Sequence, residues 1–276
     1  MDISNKNSFS AVKIQDFLDC ERRYELKYIL EQSWPSISSE PVVEVEENVK
    51  KGNRFHYLIF QFFSGIPKEK LILSIKDEEI QVWFNSFLDF SKNIDQNKTF
   101  PEFHLVNQLN KTRITAIYDL IHVSKNNEVR IIDWKTSHFI PKKTTLSAKV
   151  QTILYPYLIF ETYNEFLPDI NLVPDKISLQ YWFSTSPTKE FIFKYGQSTH
   201  ENHRVFLENI IDQIQNKSVG EFALTENKTK CGFCPYRSLC NRGAYATNYL
   251  DLIKTELEGS EFYIDFDQLP ELTLDE

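Results

Sequence analysis

The chain has 276 residues, of which 41% are hydrophobic and 25% charged, with 22 Phe and 13 Tyr; this excludes a disordered chain and provides for a sizeable core. A net charge of −8 argues at first sight against holding phosphate, which needs Lys and Arg. Nine acids between Asp251 and Glu276 stand against Lys254 alone, however, so the remaining residues are formally neutral and the acidity belongs to the tail.

No Pro/Gly/Ser-rich linker divides the chain, so one domain is expected over residues 1–250, followed by the acidic tail, 251–276. The N-terminus lacks a basic region followed by an apolar one, and no run of eighteen apolar residues occurs, so a cytoplasmic location without membrane association is expected. In that reducing compartment the four cysteines are more often metal ligands or catalytic groups than disulfides.

In chain order, Ser10 to Leu30 carries apolar residues at helical spacing (Ile14, Phe17, Leu18, Tyr24, Tyr28), and so does Glu46 to Phe63 (Phe55, Leu58, Ile59, Phe62, Phe63). A third helix is predicted over Glu78 to Phe90. β-Branched and apolar residues then alternate over His104 to Asn110, Arg113 to Val123 and Glu128 to Lys135, which predicts a strand meander. A helix is expected from Leu146 to Phe160, strands at Ile177 to Ser184 and Glu190 to Tyr195, and a helix from Ser198 to Gln213. This order gives an α/β fold with a mixed sheet under helical cover.

The polar segment Ser124 to Glu128 reads as a hairpin loop centred near Asn126, and Asp119 and Asp133 are equidistant from that centre. Residues opposed in this way have Cβ atoms roughly 4.5–5.5 Å apart, close enough for two carboxylates to share a divalent cation. Lys135 follows on the same face as Asp133. Acids interrupting apolar strands are costly unless paired or bound to a cation. Mg²⁺ or Mn²⁺ held there can activate water, with Lys135 orienting it or neutralising developing charge. The alternative is an ordinary Asp–Lys pair on a solvated strand face.

These residues resemble the PD-(D/E)XK nuclease superfamily, and its RecB-like branch in particular. Asp119 matches the family's first acid and Asp133-Trp134-Lys135 its D/E-x-K triplet, with Ala116 where relatives usually carry glycine. Gly52-Asn53-Arg54-Phe55-His56 resembles the Gly-x-x-x-His helix motif, whose histidine is a further metal ligand. Gln151-Thr152-Ile153-Leu154-Tyr155 resembles the Gln-x-x-x-Tyr motif that steadies substrate, and spacing of four puts both side chains on one helical face. Glu102 is a further acid with a loose match. The resemblance implies a restriction-endonuclease-like sheet flanked by helices, phosphodiester hydrolysis in DNA, often single-stranded or from an end, and His56, Asp119 and Asp133 as metal ligands.

Cys231-x2-Cys234-x5-Cys240 brings three thiols into a short span, with Cys20 far away on the first helix. Thiolates in this number suit Zn²⁺ or an iron–sulfur cluster, and ligand type alone does not separate them. The layout resembles the RecB-like nucleases that carry a [4Fe-4S] cluster, AddB and the CRISPR adaptation nucleases among them, although Glu21 replaces the usual proline after the first cysteine. That resemblance implies a cluster joining the N- and C-terminal helical parts in a structural role.

Between Trp134 and Phe160 there is no acid, while Lys142, Lys143 and Lys149 add positive charge to Lys135; a phosphate backbone can lie there, or the segment is a solvated loop. Arg22, Arg23, Lys27, Arg237 and Arg242 are candidates to extend the track. No P-loop is present, so unwinding would come from a partner such as a helicase. The rival expectation is a non-catalytic DNA-binding or scaffold protein around a structural metal cluster.

Overall fold

The computed structural model describes residues 8–32, 40–95, 98–137, 139–232 and 234–243; the expectations for the acidic tail fall outside them. The elements run β1 (Ser8–Ser10), α1 (Ala11–Asp19), α2 (Glu21–Tyr24) leading into a π-helical turn (Glu25–Ile29), α3 (Glu40–Phe63), α4 (Lys68–Ser74), α5 (Glu78–Ser91), β2 (Thr99–Leu109), β3 (Thr112–Val123) and β4 (Val129–Lys135). They continue with α6 (Lys143–Ser147), α7 (Val150–Phe166), β5 (Ile177–Phe183), β6 (Glu190–Lys194) and α8 (Gln197–Gln215). A six-stranded mixed sheet is flanked by helices on both faces, the α/β architecture expected from the order of elements. Among the described residues no helix is long and apolar enough to cross a membrane.

Two hydrophobic cores sandwich the sheet. One joins α1, α7 and α8 to residues such as Ile114, Tyr118, Ile131 and Leu179. The other joins α3, α4 and α5 to Leu120, Ile132, Trp134 and Trp182. β4 is therefore buried on both sides, which suits its consecutive apolar Ile131 and Ile132.

The pairing of β3 sets up the site. β2 follows β3 along its whole length, from Thr99↔His122 to Leu109↔Thr112, and so occupies one edge. The other edge is shared: β1 lies parallel against Arg113 to Thr115, while β4 lies antiparallel against Leu120 to Val123. Ala116 to Asp119 have no strand beside them on that edge, and β4 runs on from Asp133 to Lys135 paired with β5 alone. The sheet forks there.

Both strands behind the fork break step. Ile114, Ala116 and Tyr118 face the first core, and so do Ile121 and Val123, whereas Leu120 faces the second. Across from Asp119 the count along the ladder reaches Glu102, which takes a left-handed φ of 45°. Phe100 and Phe103, three residues apart, consequently both pack on Phe166.

Residues 19–25 meet residues 217–230. Arg22 N–H donates to the Ala223 carbonyl, the Glu21 carboxylate accepts Ala223 N–H, and that of Glu25, wholly buried, accepts Gly220 N–H. Lys217 and Lys230 add ion pairs to Glu21 and Asp19 at 2.9 Å each.

Several features depart from the expected elements; β2 begins at Thr99, ahead of His104, and α6 stands apart from α7. The first helix is interrupted at Cys20, whose backbone is extended (φ −165°, ψ 109°). The short β1 and α4 were not foreseen, since three and seven residues are too few for periodicity to register.

Candidate active site

The fork opens into a cleft of about 520 Å³ lined by Asn53, His56, Glu102, Asp119, Asp133, Lys135, Gln151 and Tyr155, with Ala11, Val12, Tyr57, Phe60 and Ile117 around it. That volume lies in the range of roughly 300–1,000 Å³ usual for small-ligand sites.

Five elements, α3, β2, β3, β4 and α7, bring the polar side chains together. On α3 the core-facing Phe55, Leu58 and Ile59 are fully or almost fully buried, and Phe55 stacks on Trp182 and meets Trp83 edge-on. This seats the helix so that His56 points at the fork. α7 has no side-chain cap of its own; its first N–H, that of Val150, is taken by Gln15 of α1 at 3.1 Å, which fixes the turn carrying Gln151.

At the fork β3 no longer accepts the Trp134 N–H, and a buried amide needs a partner. The Asp119 carboxylate supplies it at 2.8 Å, while its other oxygen lies 3.4 Å from His56 Nδ1. Burial opposes ionisation of Asp119, yet His56, Lys135 and the Trp134 N–H together hold its pKa below the ordinary carboxylate value. Glu102 behaves in the opposite way: burial, then the neighbouring Asp119, raise its pKa to about 7 against the influence of His56.

His56, Glu102 and Asp119 each present a ligand atom, all within 4.8 Å of one another. Among the described residues this is the group that converges closely enough to hold a cation. Two carboxylates and an imidazole are a donor set suited to a hard or borderline divalent ion such as Mg²⁺ or Mn²⁺. The arrangement differs from the ligand set expected from sequence. Glu102 has joined the group, and Asp133 stands on the wall of the same cleft outside it.

Asp133 and Lys135 are almost completely buried and sit 2.9 Å apart. Gln151 closes a ring with them, donating its amide N–H to Asp133 and accepting from Lys135 at 3.4 Å. Tyr155, one turn on, has its pKa raised by burial and then by Asp133 and Asp119, so its hydroxyl stays protonated. Tyr118 donates to the Tyr155 carbonyl at 3.0 Å.

Among the described residues, the four cysteines do not converge as the cation group does. Burial raises the thiol pKa of Cys231, Cys234 and Cys240, that of Cys234 to about 11, and Cys20 contributes to the rise of all three. Arg22, Arg23, Arg242 and Lys228 act in the other direction.

Much of the expected basic track is already committed. Arg23 pairs with Asp16 and Asp19, and Lys27 with Asp16. Arg237 is buried against the Cys234 carbonyl, and Lys149 is buried as well. These groups serve the fold, because the break at Cys20 lets α2 and the π-helical turn lie back against the acids of α1. Lys142 and Lys143, at the start of α6, remain near the outer surface, Lys143 5.5 Å from the Phe193 ring.

A family model described as the PD-(D/E)XK nuclease superfamily matches residues 8–241. No curated protein matches the chain in sequence. Among solved structures, a candidate exonuclease from Eubacterium rectale is similar at a TM-score of 0.47 and 10% identity, covering 81% of this chain and 86% of that one. The protein SSO0001 is similar at a TM-score of 0.40 and 13% identity, with 85% of each chain covered.

Proposed function

Since the chain belongs to the PD-(D/E)XK nuclease superfamily, we propose that it is a Mg²⁺- or Mn²⁺-dependent DNA nuclease of the RecB-like branch, acting on single-stranded DNA or on DNA ends. The observation that carries this reading is the convergence of His56, Glu102 and Asp119 within 4.8 Å, in the same cleft as the Asp133–Lys135 pair. A non-catalytic scaffold has no need of a buried lysine beside a set of cation ligands.

In this reading His56, Glu102 and Asp119 hold the cation, with Asp133 a further ligand on the same wall. The ion, when bound, polarises the scissile phosphodiester and lowers the pKa of a water. Lys135, held in place by Asp133 and Gln151, orients the attacking water and offsets charge that develops on the phosphoryl oxygens. Gln151 fixes the lysine and the second aspartate relative to one another. Tyr155 keeps its proton and donates a hydrogen bond to substrate phosphate.

The cysteines are assigned, on resemblance, to a structural [4Fe-4S] cluster. The surrounding Arg22, Arg23 and Arg242 suit the negative charge of a four-thiolate cluster. Residues 1–250 then form one catalytic domain, and the acidic tail aids solubility. The biological setting, in DNA repair or in CRISPR adaptation with a helicase or other partner, follows the same resemblance.

The decisive experiment is cleavage of labelled single-stranded and duplex DNA by anaerobically purified protein, with and without Mn²⁺, and with Asp133→Ala as control. Metal-dependent cleavage lost in the variant is expected. Absence of cleavage under every condition would return the chain to the scaffold reading.

A further inference from the structure

The ionic floor of the cleft has an apolar rim that the hydrolytic reading leaves unused. α3 buries Phe55 and Leu58 completely, yet on its cleft side Tyr57 is 50% exposed. Tyr57 and Phe60 stack with ring centres 6.3 Å apart and planes 29° from parallel. One turn earlier, the Arg54 guanidinium lies 5.9 Å from the Tyr57 ring. Spacing of three aligns Arg54, Tyr57 and Phe60 as one ladder along the helix. Tyr57 and Phe60 line the cleft beside His56, and across from them Ile117, two residues before Asp119 on β3, is 48% exposed.

A half-exposed Tyr57 ring, backed by the partly buried Phe60 and joined to a cation-binding floor, matches a nucleotide, whose phosphate is anionic and whose base is flat and apolar-faced. Bases stack on aromatic rings and guanidinium planes, and only an unpaired base has such a face to offer. Arg54, next along the ladder and outside the cleft, is placed to meet the following phosphate of the strand. The order suits a strand: a cation held on the floor for one phosphate, rings for the base, and the Arg54 guanidinium for the next phosphate.

We propose that Tyr57 and Phe60 form a platform that stacks the unpaired base next to the scissile phosphate, so that the enzyme selects strands whose bases are free. This rests on the DNA-nuclease reading and adds to it a determinant of strand selection. Stacking on rings reads no base edge, so the platform favours unpaired over paired DNA without favouring one sequence.

The test is equilibrium binding of the full-length protein in Ca²⁺, by fluorescence anisotropy, to labelled oligodeoxythymidine and to the same strand carrying abasic residues. The wild type is expected to bind the strand with bases about tenfold more tightly, the effect of one to two stacked bases. Tyr57→Ala should bring that ratio to about one, while Tyr57→Trp should keep it. Tyr57 is half exposed, so the alanine variant should melt with the wild type. Phe60→Ala is the second variant and should also reduce the ratio.

Equal wild-type affinity for the two strands, or an undiminished ratio in both alanine variants, would overturn the platform. Absence of Mn²⁺-dependent cleavage with the binding ratio intact would remove the nuclease reading and leave the platform standing.

Discussion

Glu102 and Asp119 face one another across β2 and β3 at the place where both strands leave their alternation, and Glu102 does so with a left-handed φ of 45°. A glutamate in that region is strained by roughly 1–2 kcal/mol, because its Cβ crowds the backbone. The strain delivers its carboxylate to His56 and Asp119.

Glu102→Gly separates the two consequences. Glycine adopts that φ freely, so the melting temperature should rise or hold, while Mn²⁺ affinity measured by calorimetry falls by at least about tenfold with the lost ligand. Unchanged Mn²⁺ binding would show that the group within 4.8 Å is not the cation site.

Lys135 and Asp133 are buried partners, and removing one leaves the other charged and uncompensated. Lys135→Met should cost about 3–5 kcal/mol in urea denaturation, and Asp133→Asn combined with it should restore most of that stability. Cleavage is expected to fall by roughly 10²–10³ in either variant. If Lys135→Met cleaves normally, the lysine has only a structural role.

Phe55 wedges α3 onto Trp83 and Trp182. Phe55→Ala should lower stability by about 3–5 kcal/mol and weaken metal binding through the neighbouring His56. The matched control is Leu73→Ala, 86% exposed on α4, expected within about 0.5 kcal/mol of wild type.

Burial lowers the pKa of His122, His200 and His203 below the ordinary 6.5, in His200 despite the Glu161 carboxylate 3.1 Å away. A depressed folded-state pKa means that the unfolded chain takes up protons first as pH falls. The contribution of these residues is therefore fully present above pH 6.5 and is lost as pH drops through the lower folded-state values. Melting temperatures should fall from about pH 6.5 downward, with a shallower slope in His200→Gln; identical slopes would dismiss the buried histidine as a cause.

Cys231→Ala should lower iron content, visible absorbance and melting temperature before it alters the rate of the protein that remains folded. An unchanged melting temperature with cleavage abolished would assign the cysteines to catalysis.

Most of the cleft was legible because its residues are related by short-range geometry. Asp119 and Asp133 are symmetric about a hairpin loop, Gln151 and Tyr155 are four apart on one helix, and His56 sits in a helix with a plain apolar face. All of them line one cavity. Glu102 was visible only as a loose match. Its placement depends on a paired kink in two strands, and its signal in sequence, the single acid of its strand after Pro101, does not reveal a left-handed backbone. Arg23 and Lys27 read as free cations because a continuous first helix was assumed. The extended Cys20 folds them back onto Asp16, an interaction that helical spacing does not contain.

The hydrogen bonds linking Glu21, Arg22 and Glu25 to residues 220–223 also bear on how the chain is made. During synthesis Glu21, Arg22 and Glu25 emerge some two hundred residues before the partners that secure them, so α2 and the π-helical turn gain these bonds only late. α1, which lends Ala11 and Val12 to the cleft, is seated earlier by β1 along β3 and by Gln15 on α7, so the late bonds to residues 220–223 brace the turn behind the cleft rather than its wall.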